Sequence, residues 1–294
     1  MALSTSIKNA LNRVLARANL QMTTLTARRA QDRQLAKLRN SDHFDRAIFP
    51  WPENIEAGHQ TEIIDALPDY RSRFDTFLDG SLNDVGYSFA NDYFRSPDAE
   101  VFYTLVRMKR PARIVEVGSG YSTKIARQAI IDGKLETRLI SIDPEPRAEI
   151  DSLADECVRR PVEDVDLAIF DQLQTGDMLF IDSSHQVQLG NDCAFLYTVV
   201  LPRLVSGMFL HVHDIFLPFD YPSDFVADAR EWNEQYLVHV MLLLGNAFDI
   251  TWPGYFLQQT RRDFMSAFPN NRGERAQSLW LRKTSSAIRG NDCR

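Results

Sequence analysis

A glycine-rich turn near the middle of the sequence could hold a ligand against the backbone. The run Glu116-Val-Gly-Ser-Gly120 contains two glycines separated by one residue, where a chain can turn sharply and free N–H groups can face a ligand. Thr123 stands where a dinucleotide fingerprint has its third glycine, so pyrophosphate binding is disfavoured. Asp143 follows about 20 residues later, where a carboxylate commonly accepts the hydroxyl groups of a ribose. The spacing therefore predicts a site for a nucleoside that carries no diphosphate.

Two carboxylates and two imidazoles form a second group of candidate residues. Asp182 and His185 follow one apolar run, and His213 and Asp214 follow the next. Such donors suit Mg²⁺ or Mn²⁺ where carboxylates dominate, and iron or zinc where both histidines bind. With an unperturbed pKa of about 6.5, His185 could instead take a proton from a hydroxyl group, and the two roles compete for its ring. His211, two residues before His213, is expected to be structural.

The elements that must position these groups alternate between strands and helices. Strands are predicted at residues 113–117, 138–143, 157–158, 177–182, 208–213, 247–251 and 278–282. Helices are predicted at residues 97–110, 122–132, 146–156, 166–173, 190–204 and 225–244. Repeated strand–helix units favour a parallel sheet covered on both faces, and the last two strands, with no predicted helix between them, should form a hairpin-like pair. The predicted fold class is α/β, with a doubly wound, mostly parallel seven-stranded sheet that binds ligands beyond the carboxyl ends of its strands.

An unusually apolar loop follows the strand predicted at 208–213. Residues 215–223 hold three aromatic side chains and two prolines, which predicts a lid over the site. A second aromatic group lies at 252–256, where ordinary core packing is the competing interpretation. The candidate contacts for a small organic acceptor are Phe216, Tyr221 and Trp252.

The first 40 residues differ from the rest of the chain in charge. They carry eight basic groups and one acid, a charge of +7, which leaves −14 for residues 41–294 because the whole chain carries −7. Apolar residues between Leu3 and Ala18 have the spacing of an amphipathic helix, and a second helical run ends near Leu38. We predict a basic helical arm that packs on the body or on a second subunit, giving a homo-oligomer. A membrane-surface helix and a cleaved organelle presequence are the alternatives.

The composition is that of an ordinary globular protein. Of the 294 residues, 44% are apolar and 25% are charged, which is enough to bury a core. Apolar stretches such as Val240–Leu244 are far shorter than the roughly 20 residues that span a bilayer. Three scattered cysteines favour a reducing compartment, and the acidic body disfavours binding to nucleic acid. We predict a soluble cytoplasmic protein without stable membrane insertion.

Residues from about Asn91 to Arg282 resemble the class I S-adenosylmethionine-dependent methyltransferases. The run Ile114–Thr123 resembles the first motif of that superfamily, and Ile140–Asp143 resembles the second. A more specific likeness is to the bacterial small-molecule branch, which includes stand-alone methyltransferase domains and is similar to macrocin O-methyltransferase and cephalosporin-hydroxylase-type proteins. The residues that carry it are Leu179–His185, His211–Phe216 and Pro218–Pro222.

The resemblance implies a Rossmann-like methyltransferase domain at residues 91–284. It follows the arm at 1–40 and a connector at 41–90, and it precedes a tail at 285–294. Glu116, Gly118 and Gly120 would line the methionine end of the cofactor, Asp143 would hold the ribose, and Glu163 or Asp164 would lie near the adenine. The candidate cofactor-binding residues are Glu116, Gly118, Ser119, Gly120, Tyr121, Ser122, Asp143, Glu163, Asp164 and Asp182.

The likeness to metal-using methyltransferases implies a cation site as well. Asp182, His213 and Asp214 match the positions that hold the metal ion, with His185 as a further ligand or as the general base. The candidate catalytic residues are His185, Asp182 and His213. We therefore predict methyl transfer from S-adenosylmethionine to a small organic acceptor, at oxygen, with assistance from Mg, Mn, Fe or Zn. The alternative is a metal-dependent, non-methylating enzyme on the same scaffold, such as a hydrolase or an oxygenase component.

Overall fold

The computed structural model describes residues 5–18, 20, 22, 25–51, 55, 59–228 and 230–287. The chain divides into two units, residues 1–46 and residues 47–294. The first unit contains α1 (Thr5–Leu15), which continues as a 3₁₀ turn, and α2 (Leu25–Arg39). The predicted N-terminal helices are therefore present. Ile7, Leu11 and Val14, spaced along one face of α1, are exposed.

The second unit is built on a seven-stranded sheet. Its strands are β1 (Arg113–Val117), β2 (Arg138–Ile142), β3 (Glu156–Val158), β4 (Met178–Ile181), β5 (Phe209–Val212), β6 (Phe248–Pro253) and β7 (Leu279–Lys283). The spatial order is β3-β2-β1-β4-β5-β7-β6. The first five strands run parallel, and β7 runs antiparallel to both of its neighbours, β5 and β6. The predicted doubly wound, mostly parallel α/β fold is confirmed.

Helices cover both faces of the sheet. They are α3 (His59–Ala66), α4 (Arg71–Thr76), α5 (Asp98–Lys109), α6 (Tyr121–Gly133), α7 (Ala168–Asp171), α8 (Asp192–Phe195), α9 (Leu201–Arg203), α10 (Ser223–Ala227), α11 (Glu234–Leu244), α12 (Gly254–Thr260) and α13 (Phe264–Ala267). A π-helical turn, Leu196–Val200, joins α8 to α9. No helix in the described ranges is both long and apolar enough to cross a membrane.

Alternating side chains of the buried strands pack into two apolar cores, one on each face of the sheet. In β1, Ile114 belongs to one core and Val115 to the other, as the twofold side-chain period of a strand requires. Phe180 of β4 stacks on Phe102 of α5, with ring centroids 4.9 Å apart. The central strands are thus fixed from both sides, so the residues that follow them have a rigid support.

Residues 59–90 are more ordered than the predicted connector. They form α3, α4 and short 3₁₀ turns, and the side chains of Ile63, Phe74, Phe77 and Tyr87 are buried in the core beside α5. Their apolar positions are spread over several short elements, so no long periodic pattern marks them in the sequence.

Three predicted helical features are wrong. Residues 146–156 form turns leading into β3, because Glu145 N–H donates to Asp143 and Arg147 N–H donates to the carbonyl of Ser119, which ties the segment to the sheet edge. The helix predicted at 225–244 is split into α10 and α11, because the N–H groups of Asn233 and Glu234 donate to the carbonyl of His185. Finally, α12 and α13 lie between β6 and β7, where no helix was predicted.

Candidate active site at the carboxyl edge of the sheet

The strand order opens a crevice between β1 and β4. The chain turns towards β2 after β1 and towards β5 after β4, so the carboxyl ends of these two strands form a topological switch point. A cavity of about 270 Å³ lies at this edge. It is lined by Val117, Gly118, Ser119, Ile142, Asp143, Pro144, Glu145, Arg147, Pro161, Val162, Glu163, Asp182, Ser183 and Asp192.

Gly118 allows the chain to turn beside β4. Its φ is +81°, a conformation that side-chain-bearing residues rarely adopt, and a Cβ atom there would lie 1.8 Å from the carbonyl oxygen of Asp182. The next helix, α6, begins after Gly120, whose N–H donates to Thr123 Oγ1 at 3.0 Å. The loop at Gly118 and Ser119 therefore forms one wall of the cavity, and the N-terminus of α6 follows that loop.

Glu116 stabilises this wall from behind. Its buried carboxylate accepts hydrogen bonds from the hydroxyl groups of Ser122 and Thr123. Burial raises the pKa of Glu116 to about 8, against the lowering effect of those two hydrogen bonds. The carboxylate holds the first turn of α6 against β1.

Asp143 and Glu163 present carboxylates to the cavity. Asp143 Oδ2 accepts the N–H of Ser119 at 2.7 Å, and its Oδ1 accepts the N–H of Glu145 at 2.8 Å. Glu163 Oε2 is buried and has no hydrogen-bond partner among the described residues. Of the two alternatives for the adenine end, Glu163 lines the cavity and Asp164, which is exposed, does not.

The predicted cofactor residues divide into those that line the cavity and those that do not. The lining contains Gly118, Ser119, Asp143, Glu163 and Asp182. The others do not line it: Glu116, Gly120, Tyr121, Ser122 and Asp164. Glu116, Gly120 and Ser122 instead fix the backbone of the glycine loop and the first turn of α6.

A cluster of three potential metal ligands adjoins the cavity. Asp182, His185 and Asp214 each place one oxygen or nitrogen atom within 4.8 Å of the others. His185 Nε2 lies 3.2 Å from Asp182 Oδ1 and 3.4 Å from Asp214 Oδ2. Asp214 Oδ1 is buried and unpartnered in the described part of the chain. Asp182 belongs to both the cavity lining and this cluster, which joins them.

Glu234 orients the His185 ring from the far side, a role that sequence reasoning missed. Its Oε2 lies 2.9 Å from His185 Nδ1, and its Oε1 accepts the hydroxyl of Tyr197 at 2.9 Å. Glu234 is fully buried at the start of α11. With the proton of Nδ1 directed at this carboxylate, Nε2 of His185 faces the two aspartates, as in metal sites whose histidine ligands are held by a carboxylate.

The electrostatics of the cluster favour a positive charge on the His185 ring. Burial alone would lower the pKa of His185, but hydrogen bonds to Asp182 and Glu234 raise it well above its ordinary value. Burial alone would raise the pKa of Asp182, but His213 and the hydrogen bond from His185 hold it well below its usual range. A positive charge at Nε2, carried by a proton or by a metal ion, is therefore stabilised by the surrounding carboxylates.

His213 does not join the cluster as predicted. Its Nε2 lies 3.4 Å from the side-chain nitrogen of Gln277, and its ring packs on Phe94 at 5.3 Å between centroids. The reason is the backbone: Asp214 adopts a left-handed φ of 57°, which turns its carboxylate to His185 while His213 stays on the Phe94 side. The potential ligand atoms that lie together are thus those of Asp182, His185 and Asp214, whereas the predicted metal set of Asp182, His213 and Asp214 stays a prediction.

The predicted acceptor residues are largely inside the protein. Phe216 and Trp252 are fully buried, and Tyr221, also buried, accepts the N–H of Gln235. Trp252 packs on Phe264 in the core, as the competing interpretation held. The half-buried ring of Trp232 lies beside the cluster, with its centroid 4.3 Å from that of His185.

Comparison with known proteins relates part of this chain to a methyltransferase family. Residues 115–215 match the model of a family described as a methyltransferase domain. An uncharacterized protein of Archaeoglobus fulgidus is 34% identical over 90 residues, which cover 29% of this chain and 41% of that relative. The chain thus spans about two fifths of the length of the curated relative that it matches.

Solved structures with low identity are also similar. The SAH-bound methyltransferase PaMTH1 of Podospora anserina shares 13% identity, covering 82% of this chain and all of that chain, with a TM-score of 0.42. An O-methyltransferase of Bacillus cereus in complex with SAH shares 12% identity, covering 76% of this chain and 91% of that chain, also with a TM-score of 0.42. Residues 115–215 therefore resemble a methyltransferase domain, and the sheet that contains them has a Rossmann-like strand order.

Proposed function

We propose that this protein transfers a methyl group from S-adenosylmethionine to an oxygen atom of a small organic acceptor, with the help of a divalent cation. The observation that carries the proposal is the position of Asp182, which lines the cavity and also belongs to the cluster with His185 and Asp214. A cofactor in the cavity and a cation in the cluster would therefore be neighbours. The family match at residues 115–215 supports this reading over a non-methylating metal enzyme.

The cavity fits an adenosine-containing cation. Asp143 accepts two N–H groups and, at 3.3 Å, the hydroxyl of Ser119, and a carboxylate accepts about four hydrogen bonds, so capacity remains for a ribose hydroxyl group. The unpartnered Oε2 of Glu163 can accept a hydrogen bond from an amino group such as that of adenine. The excess of carboxylates in the lining favours a positively charged sulfonium ligand.

The cluster fits a divalent cation held by Asp182, His185 and Asp214. Two carboxylates and one imidazole suit Mg²⁺, Mn²⁺, Fe²⁺ or Zn²⁺, and Glu234 supplies the outer carboxylate that such histidine ligands commonly have. The left-handed backbone at both His185 and Asp214 is a conformation that often marks functional sites. A bound cation would lower the pKa of an acceptor hydroxyl group and orient its oxygen.

The residues of this chain would then act by positioning the acceptor relative to the methyl group. Methyl transfer is an in-line displacement, so its rate depends on holding the acceptor oxygen in line with the methyl group. Trp232 stands beside His185, with the guanidinium group of Arg230 4.8 Å from its ring centroid, and the exposed part of its side chain could contact an acceptor. Glu234 keeps the Nδ1 proton of His185 directed away from the acceptor.

The test is methyl transfer from labelled S-adenosylmethionine to a panel of small hydroxylated compounds, before and after chelation. We expect turnover that chelator abolishes and Mg²⁺ or Mn²⁺ restores, with cofactor affinity unchanged. Turnover that survives chelation but is lost in His185→Ala would replace the cation with a histidine base. Folded protein that binds no S-adenosylhomocysteine in calorimetry would end the methyltransferase proposal.

A further inference from the structure

Negatively charged side chains outnumber positively charged ones in the cavity lining. The carboxylates among the described lining residues are Asp143, Glu145, Glu163, Asp182 and Asp192. The cation is Arg147. S-adenosylmethionine has the opposite balance, with a positive sulfonium, a positive ammonium and a single carboxylate. A cation in a lining otherwise rich in carboxylates is suited to that one negative group.

Arg147 lies at the glycine-loop end of the cavity. Its N–H donates to the carbonyl of Ser119 at 3.2 Å, and a Cβ atom built on Gly120 would lie 3.6 Å from Cβ of Arg147. Asp182 borders the same end, because its carbonyl is packed against Gly118. Glu163, by contrast, follows β3, which lies beyond β2 at the other side of the crevice. A ligand whose adenine faces Glu163 therefore extends its other end towards Arg147.

The guanidinium group is held in place by an aromatic ring. It lies over the ring of Tyr93, with its central carbon 5.1 Å from the centroid, and Tyr93 in turn stacks on Tyr121 at 5.9 Å. Stacking on one face leaves the edge of the planar fork, with its N–H donors, available to a ligand. A planar fork of donors matches a carboxylate through two parallel hydrogen bonds.

We infer that Arg147 binds the methionine carboxylate of the cofactor and so selects a ligand that carries it. The inference rests on the proposed function, because it takes S-adenosylmethionine as the ligand of the cavity. Tyr93 acts as a positioning residue for the guanidinium group. Specificity at this end of the cavity comes from one charge pair, whereas the adenosine end is recognised by Asp143 and Glu163.

The experiment compares two ligands that differ only in this carboxylate: S-adenosylhomocysteine and its decarboxylated analogue. Calorimetry on the full chain should show that Arg147→Ala weakens S-adenosylhomocysteine binding by roughly ten- to a hundredfold, while affinity for the analogue changes by less than about twofold. Arg147→Lys keeps the charge but not the fork, so its affinity for S-adenosylhomocysteine should lie between those of the wild type and Arg147→Ala. Arg160→Ala removes an exposed charge outside the lining and should change neither affinity.

The outcomes separate the inference from the function on which it rests. Equal losses for both ligands in Arg147→Ala, or no loss for either, would overturn the role of Arg147 while leaving cofactor binding in place. Wild-type protein that binds neither ligand would overturn the proposed function and the inference together. Because Arg147 is exposed, its substitution should leave the circular dichroism spectrum and the melting temperature unchanged.

Discussion

The two halves of the candidate site differ in how far along the sequence their parts lie. The cofactor half is mainly built from the turns after β1 and β2, and Gly118 and Asp143 are joined through the N–H of Ser119. The cation half joins Asp182 and His185, which follow β4, to Asp214 after β5 and Glu234 on α11. The cofactor half joins turns that lie 24 residues apart, and the cation half joins side chains that lie up to 49 residues apart.

The two halves also differ in the groups that hold them in place, which are mainly backbone N–H groups in the cofactor half and side chains in the cation half. Asp143 accepts the N–H of Glu145 within its own turn and the N–H of Ser119 from the turn after the neighbouring strand β1. His185 is held by side chains and by the split between α10 and α11, where its carbonyl accepts two N–H groups. We therefore expect changes in the cation half to have larger effects than changes in the cofactor half.

The largest effect is expected for His185. In His185→Gln, Mn²⁺ affinity should fall by more than roughly 100-fold, because the substitution removes a ligand rather than an outer partner of one. Titration of the full chain with Mn²⁺, followed by electron paramagnetic resonance, measures this. His213→Gln is the comparison variant: because His213 lies outside the cluster and acts on Asp182 only electrostatically, Mn²⁺ affinity should fall far less. The reverse pattern would restore the ligand set predicted from the sequence.

A smaller loss of Mn²⁺ affinity is expected for changes at Glu234, which contacts His185 rather than the cation. Glu234→Gln keeps the shape but removes the charge behind His185 Nδ1, and Mn²⁺ affinity should fall about 10- to 100-fold. Glu231→Gln, at an exposed position on the same segment, should have no effect. Equal Mn²⁺ affinities in the two variants would show that α11 does not tune the cluster.

In the cofactor half, Asp143→Ala should weaken S-adenosylhomocysteine binding by roughly tenfold or more, because the ribose loses a charged hydrogen-bond acceptor. Calorimetry measures the change. Asp164→Ala, at an exposed residue outside the lining, serves as the control and should bind like the wild type. If Asp164→Ala were the weaker binder, the assignment of the adenine end to Glu163 would be wrong.

The smallest effect on the site is expected from the N-terminal arm. We predict that the exposed apolar face of α1 contributes to self-association, so Leu11→Asp combined with Val14→Asp should give a smaller oligomer in light scattering. Cofactor affinity should stay within about twofold of the wild type. Asn9→Asp, an exposed control on the same helix, should not alter the size. An unchanged size in the double variant would contradict the prediction.

The sequence predicted the sheet well because its strands are short apolar runs bounded by polar residues. Arg113–Val117, for example, is a buried strand followed directly by the glycine turn. Residues 146–156 were harder, because their helical composition is outweighed by hydrogen bonds from Glu145 and Arg147 to the sheet edge. Arg147 was missed for the same reason, since a residue on a predicted helix was not expected in the cavity lining.

The choice between His185 and His213 could not be made from spacing. Both histidines follow parallel strands at the same edge of the sheet, and the difference lies in the left-handed backbone at His185 and Asp214. Glu234 and Trp232 lie about 50 residues beyond His185 and carry no local motif. Only the packing of α11 against the β4 loop shows that they belong to the site.

The central claim is that one site holds the cofactor and the cation side by side through Asp182. Mn²⁺ broadens the magnetic resonance signals of nearby protons, so the measurement is the proton spectrum of S-adenosylmethionine on the full chain with Mn²⁺ and then with Mg²⁺. We predict that Mn²⁺ broadens the methyl signal more strongly than the adenine signals and that Mg²⁺ leaves both sharp. Uniform broadening, or none, with the cofactor and Mn²⁺ both bound, would contradict the account.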